Sequence, residues 1–63
     1  MKNNQYLMVD DLKEILGRSQ SHCYGIIRDL NKELKDKGYH VERGRVPRKY
    51  FFERYGLEEN IGN

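Results

Sequence analysis

LGRSQSHCYGIIRDLN, residues Leu16 to Asn31, carries the chain out of one helix and through most of another. Leu16 and Gly17 close the first helix, because glycine enters a left-handed cap without steric cost. Ser19 stands where a hydroxyl satisfies the free N–H groups of the next helix. Cys23, Ile26, Ile27 and Leu30 then recur at helical spacing. Two helices held across each other by a short glycine-containing turn make a helix-turn-helix.

Upstream, Val9 to Leu16 reads as helix 1, with Leu12, Ile15 and Leu16 inward and Asp10, Asp11, Lys13 and Glu14 outward. Asp10 and Asp11 complement the dipole at its start. Helix 2 is expected from about Gln20 to Lys37, stopped by Gly38. Its inward stripe is Cys23, Ile26, Ile27, Leu30 and Leu34. Steps of about 100° around the axis put Ser21, Gly25, Arg28 and Lys32 opposite that stripe. Tyr24, Asn31 and Lys35 flank this polar face on one side, and His22, Asp29, Glu33 and Asp36 on the other.

That separation of charge is locally unfavourable. Arg28 and Lys32 stack like charge one turn apart, as do Asp29 and Glu33, at a few tenths of a kcal/mol each in a free helix. An anionic partner along the basic side offsets the first. Gly25 costs about 1 kcal/mol relative to alanine in mid-helix, and close approach of a backbone to DNA explains a glycine on that face.

Beyond Gly38 the pattern changes. Tyr39-His40-Val41-Glu42 alternates as a strand does, Arg43-Gly44 supplies a turn, and Arg45-Val46 is expected to return as the second strand. Pro47 suits the first position of a last helix, roughly Arg48 to Tyr55, which is expected to bury Phe51 and Tyr55. Tyr50 and Phe52 do not both fit the inner side of so short a helix, which leaves one for a protein partner. Met1 to Gln5 is expected to fray, and the tail 58–63 to be flexible. The fold expected is therefore mainly α with a small β-hairpin: a single winged helix-turn-helix domain over 1–63, in the order helix, turn, helix, hairpin, helix, with an ordered core of about 7–56.

Composition narrows the function. A chain of 63 residues buries only about 60% of its unfolded surface, leaving little room for a deep substrate pocket. Neither a carboxylate pair, a nucleophile-base set nor a phosphate-cradling glycine loop is visible, so an enzyme is not expected. Cys23, the single cysteine, excludes an internal disulfide. With His22 and His40 it makes one ligand too few for a closed metal site and lacks paired spacing; no metal or cofactor is expected, and Cys23 reads as core. No apolar run approaches the roughly 18 residues of a membrane span and no signal-peptide core follows Met1-Lys2, so a cytoplasmic protein is expected, nucleoid-associated when bound. Net charge is only +2. The distribution says more: Arg43, Arg45, Arg48, Lys49 and Arg54 face the single acid Glu53 between residues 43 and 54, an excess that attracts phosphate.

The candidate contacts to double-stranded DNA follow. Arg28 either reads guanine O6/N7 or clamps a phosphate. Gln20 and Ser21 open helix 2, where side chains and free N–H groups meet bases or phosphates. Ser19 reads as a cap first and a contact second, and His22 as a groove-edge residue. Tyr24 either bonds a phosphate or packs on the wing, and Gly25 admits the backbone. Arg43 and Arg45 are the wing contacts, while Arg18, Lys32, Lys35, Arg48 and Lys49 are the backbone candidates.

YLMVDDLKEILGRSQSHCYGIIRDLN, from Tyr6, resembles the helix-turn-helix signature of the excisionase-type, MerR-like winged proteins of phages and integrative elements. Leu7, Val9, Leu12, Ile15, Leu16, Gly17, Ser19, Ser21, Tyr24, Ile27 and Arg28 carry the likeness. GRVPRKYFFERYG, from Gly44, is similar to the wing-to-last-helix segment through Gly44, Arg45, Val46, Pro47 and Arg48. Met8 replaces the usual capping Thr, and Lys13 the usual small residue. The resemblance implies helix 2 in the major groove and the hairpin on the minor groove or backbone. It also implies an excisionase that binds and bends attachment-site DNA to direct a tyrosine recombinase, with further copies of itself on DNA. A small transcriptional regulator is the alternative within that superfamily, and a protein-interaction adaptor or anti-repressor the alternative of another class.

Overall fold

The computed structural model describes residues 5–57. The expected frayed N-terminus, apart from Gln5, and the tail 58–63 lie outside them. The element order is β1 (Tyr6–Met8), α1 (Val9–Leu16), α2 (Gln20–Asp36), β2 (Arg45–Pro47) and α3 (Arg48–Tyr55), a small winged helix-turn-helix. No described helix is long and apolar enough to cross a membrane.

Local chemistry fixes the helix ends. Met8 has no side-chain oxygen to cap α1, and the opposite half of a capping box replaces it: the Met8 N–H donates to Asp11 Oδ2 at 2.8 Å. Gly17, at φ 66°, ends α1 with its N–H on the Lys13 carbonyl. Lys13 itself is exposed, clear of the helix-helix contact that a small residue would serve. Ser19 Oγ accepts from the His22 N–H at 3.3 Å and starts α2. Gly38, at φ 93°, closes α2: its N–H reaches the Lys35 carbonyl and that of Tyr39 reaches Leu34, the paired bonds of a Schellman motif.

Every element contributes to one core of Leu7, Leu12, Cys23, Ile27, Leu30, Leu34, Val46, Phe51 and Phe52. Ile15, Leu16, Ile26, Val41 and Tyr50 pack around it half-buried. Phe51 lies edge-on to Phe52 at 5.2 Å and stacks on Tyr55 at 4.8 Å.

The sheet differs from the hairpin expected. Tyr39–Val41 forms no strand, and the Arg43-Gly44 turn is closed by one bridge, Glu42 to Arg45. β2 pairs instead with the N-terminal β1, antiparallel, with Leu7 opposite Val46. Burial explains the choice. Leu7 and Val46 are both buried, whereas Tyr39 and His40 are exposed and only Val41 touches the core. Pairing Tyr39–Glu42 would bury little. Pro47 ends β2 and precedes α3 rather than opening it, and the Arg48 N–H donates to the Gln5 carbonyl at 2.9 Å.

α3 also turns differently. Phe51 is buried as expected, but its second buried ring is Phe52, while Tyr55 is 42% exposed. Tyr50 is half-buried, with its hydroxyl donating to Glu33 Oε1 at 2.6 Å. Phe52 thus belongs to the core and Tyr50 to a polar contact, so neither is the spare ring for a protein partner. The same Glu33 receives paired bonds from Arg54 Nε and Nη2, each 2.8 Å. This cluster ties α2 to α3 and relieves the repulsion between Asp29 and Glu33. The Arg54 guanidinium, then the Tyr50 hydroxyl, hold the Glu33 carboxyl down at about 2, from an ordinary 4.5.

A depressed carboxyl contributes stability that is present above its unfolded value and lost as pH falls through its folded one. Acid titration of unfolding free energy should therefore show a fall between about pH 4.5 and 2 that Glu33→Gln removes, with the variant less stable at neutral pH. Identical acid profiles for the two proteins would exclude Glu33 as the source.

Candidate nucleic-acid interface

The polar face of α2 is free of the core. Ser19, Gln20, Ser21, His22, Tyr24, Arg28, Lys32 and Lys35 are exposed, and Gly25 is half-buried. The Arg28 side chain is 71% exposed, with Asp29 at 3.7 Å; an ion pair this wet holds the guanidinium weakly. A Cβ on Gly25 would meet only the Arg28 side chain, 3.9 Å away. Packing among the described residues therefore gives no reason for glycine there.

Asn31 is the residue that the sequence misplaced. It was expected beside the polar face, yet it is 7% exposed and points into the protein. Its Nδ2 donates to the carbonyls of Glu42 and Arg45, both at 2.9 Å. Two carbonyl acceptors identify that atom as the nitrogen. The amide thus holds both ends of the Arg43-Gly44 turn against α2. A sign was present in the sequence: Asn31 lies four residues after Ile27 and three before Leu34, both on the inward stripe.

This anchoring makes a cleft of about 440 Å³ between α2 and the wing turn, lined by Tyr24, Ile27, Arg28, Asn31, Val41, Arg43 and Gly44. It brings together Tyr24 and Arg28 from the helix and Arg43 from the turn, predicted separately from sequence. Tyr24 also borders a shallow depression with Ser19, Gln20 and Ser21 at the start of α2, so its ring lies between the two. The other candidates are placed apart from this cleft. Lys32 and Lys35 continue along α2, and Arg18 is exposed in the turn, its carbonyl taking the Cys23 thiol at 3.8 Å. Arg45 is half-buried, with its guanidinium 5.4 Å from the centre of the Tyr6 ring. Arg48 is half-buried over Phe52 at 5.7 Å, and Lys49 is exposed. Arg54 belongs to the Glu33 cluster. Among the described residues no group of three or more His, Cys, Asp or Glu side chains could hold a metal ion, and Cys23 is fully buried.

The chain has a relative among known sequences. The ICEBs1 excisionase of Bacillus subtilis (strain 168) is 43% identical over 51 residues, spanning 81% of this chain and 80% of that protein. The chain belongs to the excisionase family. No family model matches this chain, and no solved structure matches it.

Proposed function

We propose that this excisionase-family chain binds double-stranded DNA with the N-terminal half of α2 in the major groove and the Arg43-Gly44 turn on the adjacent backbone or minor groove. The observation that carries the reading is the cleft in which Tyr24 and Arg28 of α2 face Arg43 of the wing turn. Two guanidinium groups on separate elements, held in register by a buried amide, suit a phosphate backbone passing between them. Ser21 reads base edges at the start of α2, Gln20 and His22 border it, and Arg28 clamps the backbone. Ser19 serves the helix as its cap, its Oγ accepting from the His22 N–H, and its O–H stays available as a donor to a phosphate. Lys32, Lys35, Arg18, Arg45, Arg48 and Lys49 supply charge around the contact.

Kinship with an excisionase supports a role in recombination in which the bound and bent attachment site directs a tyrosine recombinase toward excision. The chain does no bond-making of its own in that role. So small an interface offers few base contacts, each worth about 1–3 kcal/mol, so tandem copies or the recombinase supply the remaining specificity. The burial of Phe52 and the bond from Tyr50 to Glu33 favour DNA over an adaptor role built on those rings.

Two outcomes test the proposal. Gel-shift titrations on duplex DNA should give a slope of log affinity against log salt of about −3 to −4, as for about four neutralised phosphates, and Arg28→Ala with Arg43→Ala should flatten it by about 2; no retardation of any duplex at low salt would overturn the reading. Gly25→Ala should raise unfolding stability by about 0.5–1 kcal/mol while weakening DNA binding about tenfold, ~1.4 kcal/mol. A variant that gains stability at unchanged affinity would show that the backbone does not approach the DNA there.

A further inference from the structure

The N-terminal strand β1 does more than complete the sheet. In the pairing of β1 with β2, Leu7 and Val46 face the core. Alternation then puts Tyr6, Met8, Arg45 and Pro47 on the outer face. Tyr6 and Met8 are 43% and 48% exposed there. Tyr6 stands opposite Pro47, so Arg45 is its diagonal cross-strand neighbour, a distance that an aromatic and a long side chain span.

The Arg45 backbone is fully engaged. Its N–H donates to the Glu42 carbonyl at 3.4 Å, and its carbonyl accepts from Asn31 Nδ2. That leaves only the side chain to set where its charge lies. The guanidinium carbon sits 5.4 Å from the centre of the Tyr6 ring, within cation–π range. A guanidinium held by a ring keeps its N–H edge for an anion, and less rotamer freedom is lost when the anion arrives.

We infer that Tyr6 is a positioning residue for DNA binding: its ring presents Arg45 to a backbone phosphate, extending the interface from the wing turn onto the N-terminal strand. This rests on the DNA-binding reading above. Arg45 makes the contact, and Tyr6 acts through it. The wing of this protein is thereby widened by a strand remote in sequence, with Tyr6 in place of a second hairpin strand.

A double-mutant cycle tests the inference, using a fluorescein-labelled mixed-sequence duplex of about 30 base pairs at about 50 mM salt, where phosphate contacts dominate. Tyr6→Leu should bind about two- to five-fold more weakly, with a salt slope flattened by up to about 1. Tyr6→Phe, which keeps the ring, should bind as the unaltered protein does. In an Arg45→Ala background Tyr6→Leu should cause no further loss. In the free protein the Arg45 side-chain protons should carry a ring-current shift that Tyr6→Phe keeps and Tyr6→Leu abolishes. An equal loss from Tyr6→Leu with and without Arg45, or failure of Tyr6→Phe to restore binding, would overturn the inference while the DNA-binding reading stood. Failure of the unaltered protein to bind the duplex would instead remove the reading beneath it.

Discussion

One buried amide sets the shape of the working surface. Asn31 sits in the inward stripe of α2 among aliphatic side chains and spends both N–H donors on the carbonyls of Glu42 and Arg45. A buried polar group is costly unless it is bonded; those two carbonyls satisfy the Asn31 Nδ2, while its Oδ1 is buried without a hydrogen-bond partner among the described residues. The bonds run from a helix to the two ends of a turn otherwise closed by a single bridge. A three-residue strand and a tight turn have little stability of their own. The wing therefore takes its position from α2, and the cleft between Arg28 and Arg43 exists because the amide holds it open.

The rest of the molecule divides the charge. On one side of α2, Glu33 takes the Arg54 guanidinium and the Tyr50 hydroxyl, and α3 is fastened to the helix. About 140° around the helix, Arg28 has, among the described residues, a long, wet contact to Asp29. The like-charge pairs that made the isolated helix unfavourable are thus treated in two ways. The acidic pair is relieved inside the fold, and the basic pair of Arg28 and Lys32 remains turned to solvent, where a polyanion would relieve it. Arg54, one of the basic residues of the C-terminal run, is engaged in structure, while Arg43 and Lys49 stay exposed.

How much was legible in the sequence depended on whether the deciding contact was local. α1 and α2 follow from apolar spacing together with Gly17, Ser19 and Gly38, and α3 from Pro47 before it, all of which act within a turn of their position. The sheet does not. Tyr6–Met8 and Arg45–Pro47 are three residues each and far apart in the chain, too short to show alternation, so the nearer Tyr39–Glu42 looked the better partner. Asn31 looks exposed by its polarity alone, and the bonds that bury it lie 11 and 14 residues away. Tyr55 and Phe52 exchanged places because the two stand only about 60° apart on α3, and the packing around Phe51 alone decides which one is covered. The candidate face of α2 was visible as the side without apolar residues. Its union with Arg43 across a cleft, and the seat of Arg45 on Tyr6, were tertiary facts that no spacing encodes.

We propose α2 and the wing turn as one DNA-facing surface held by Asn31. The most direct measurement is a duplex titration of the ¹⁵N-labelled protein that follows the backbone amides of Gly25 and Gly44 and the side-chain amide of Asn31. Both glycine signals should shift along one binding curve, while the Asn31 pair stays resolved and protected from exchange throughout. A Gly44 signal that stays still as Gly25 moves, or an Asn31 amide that exchanges freely with water, would contradict it.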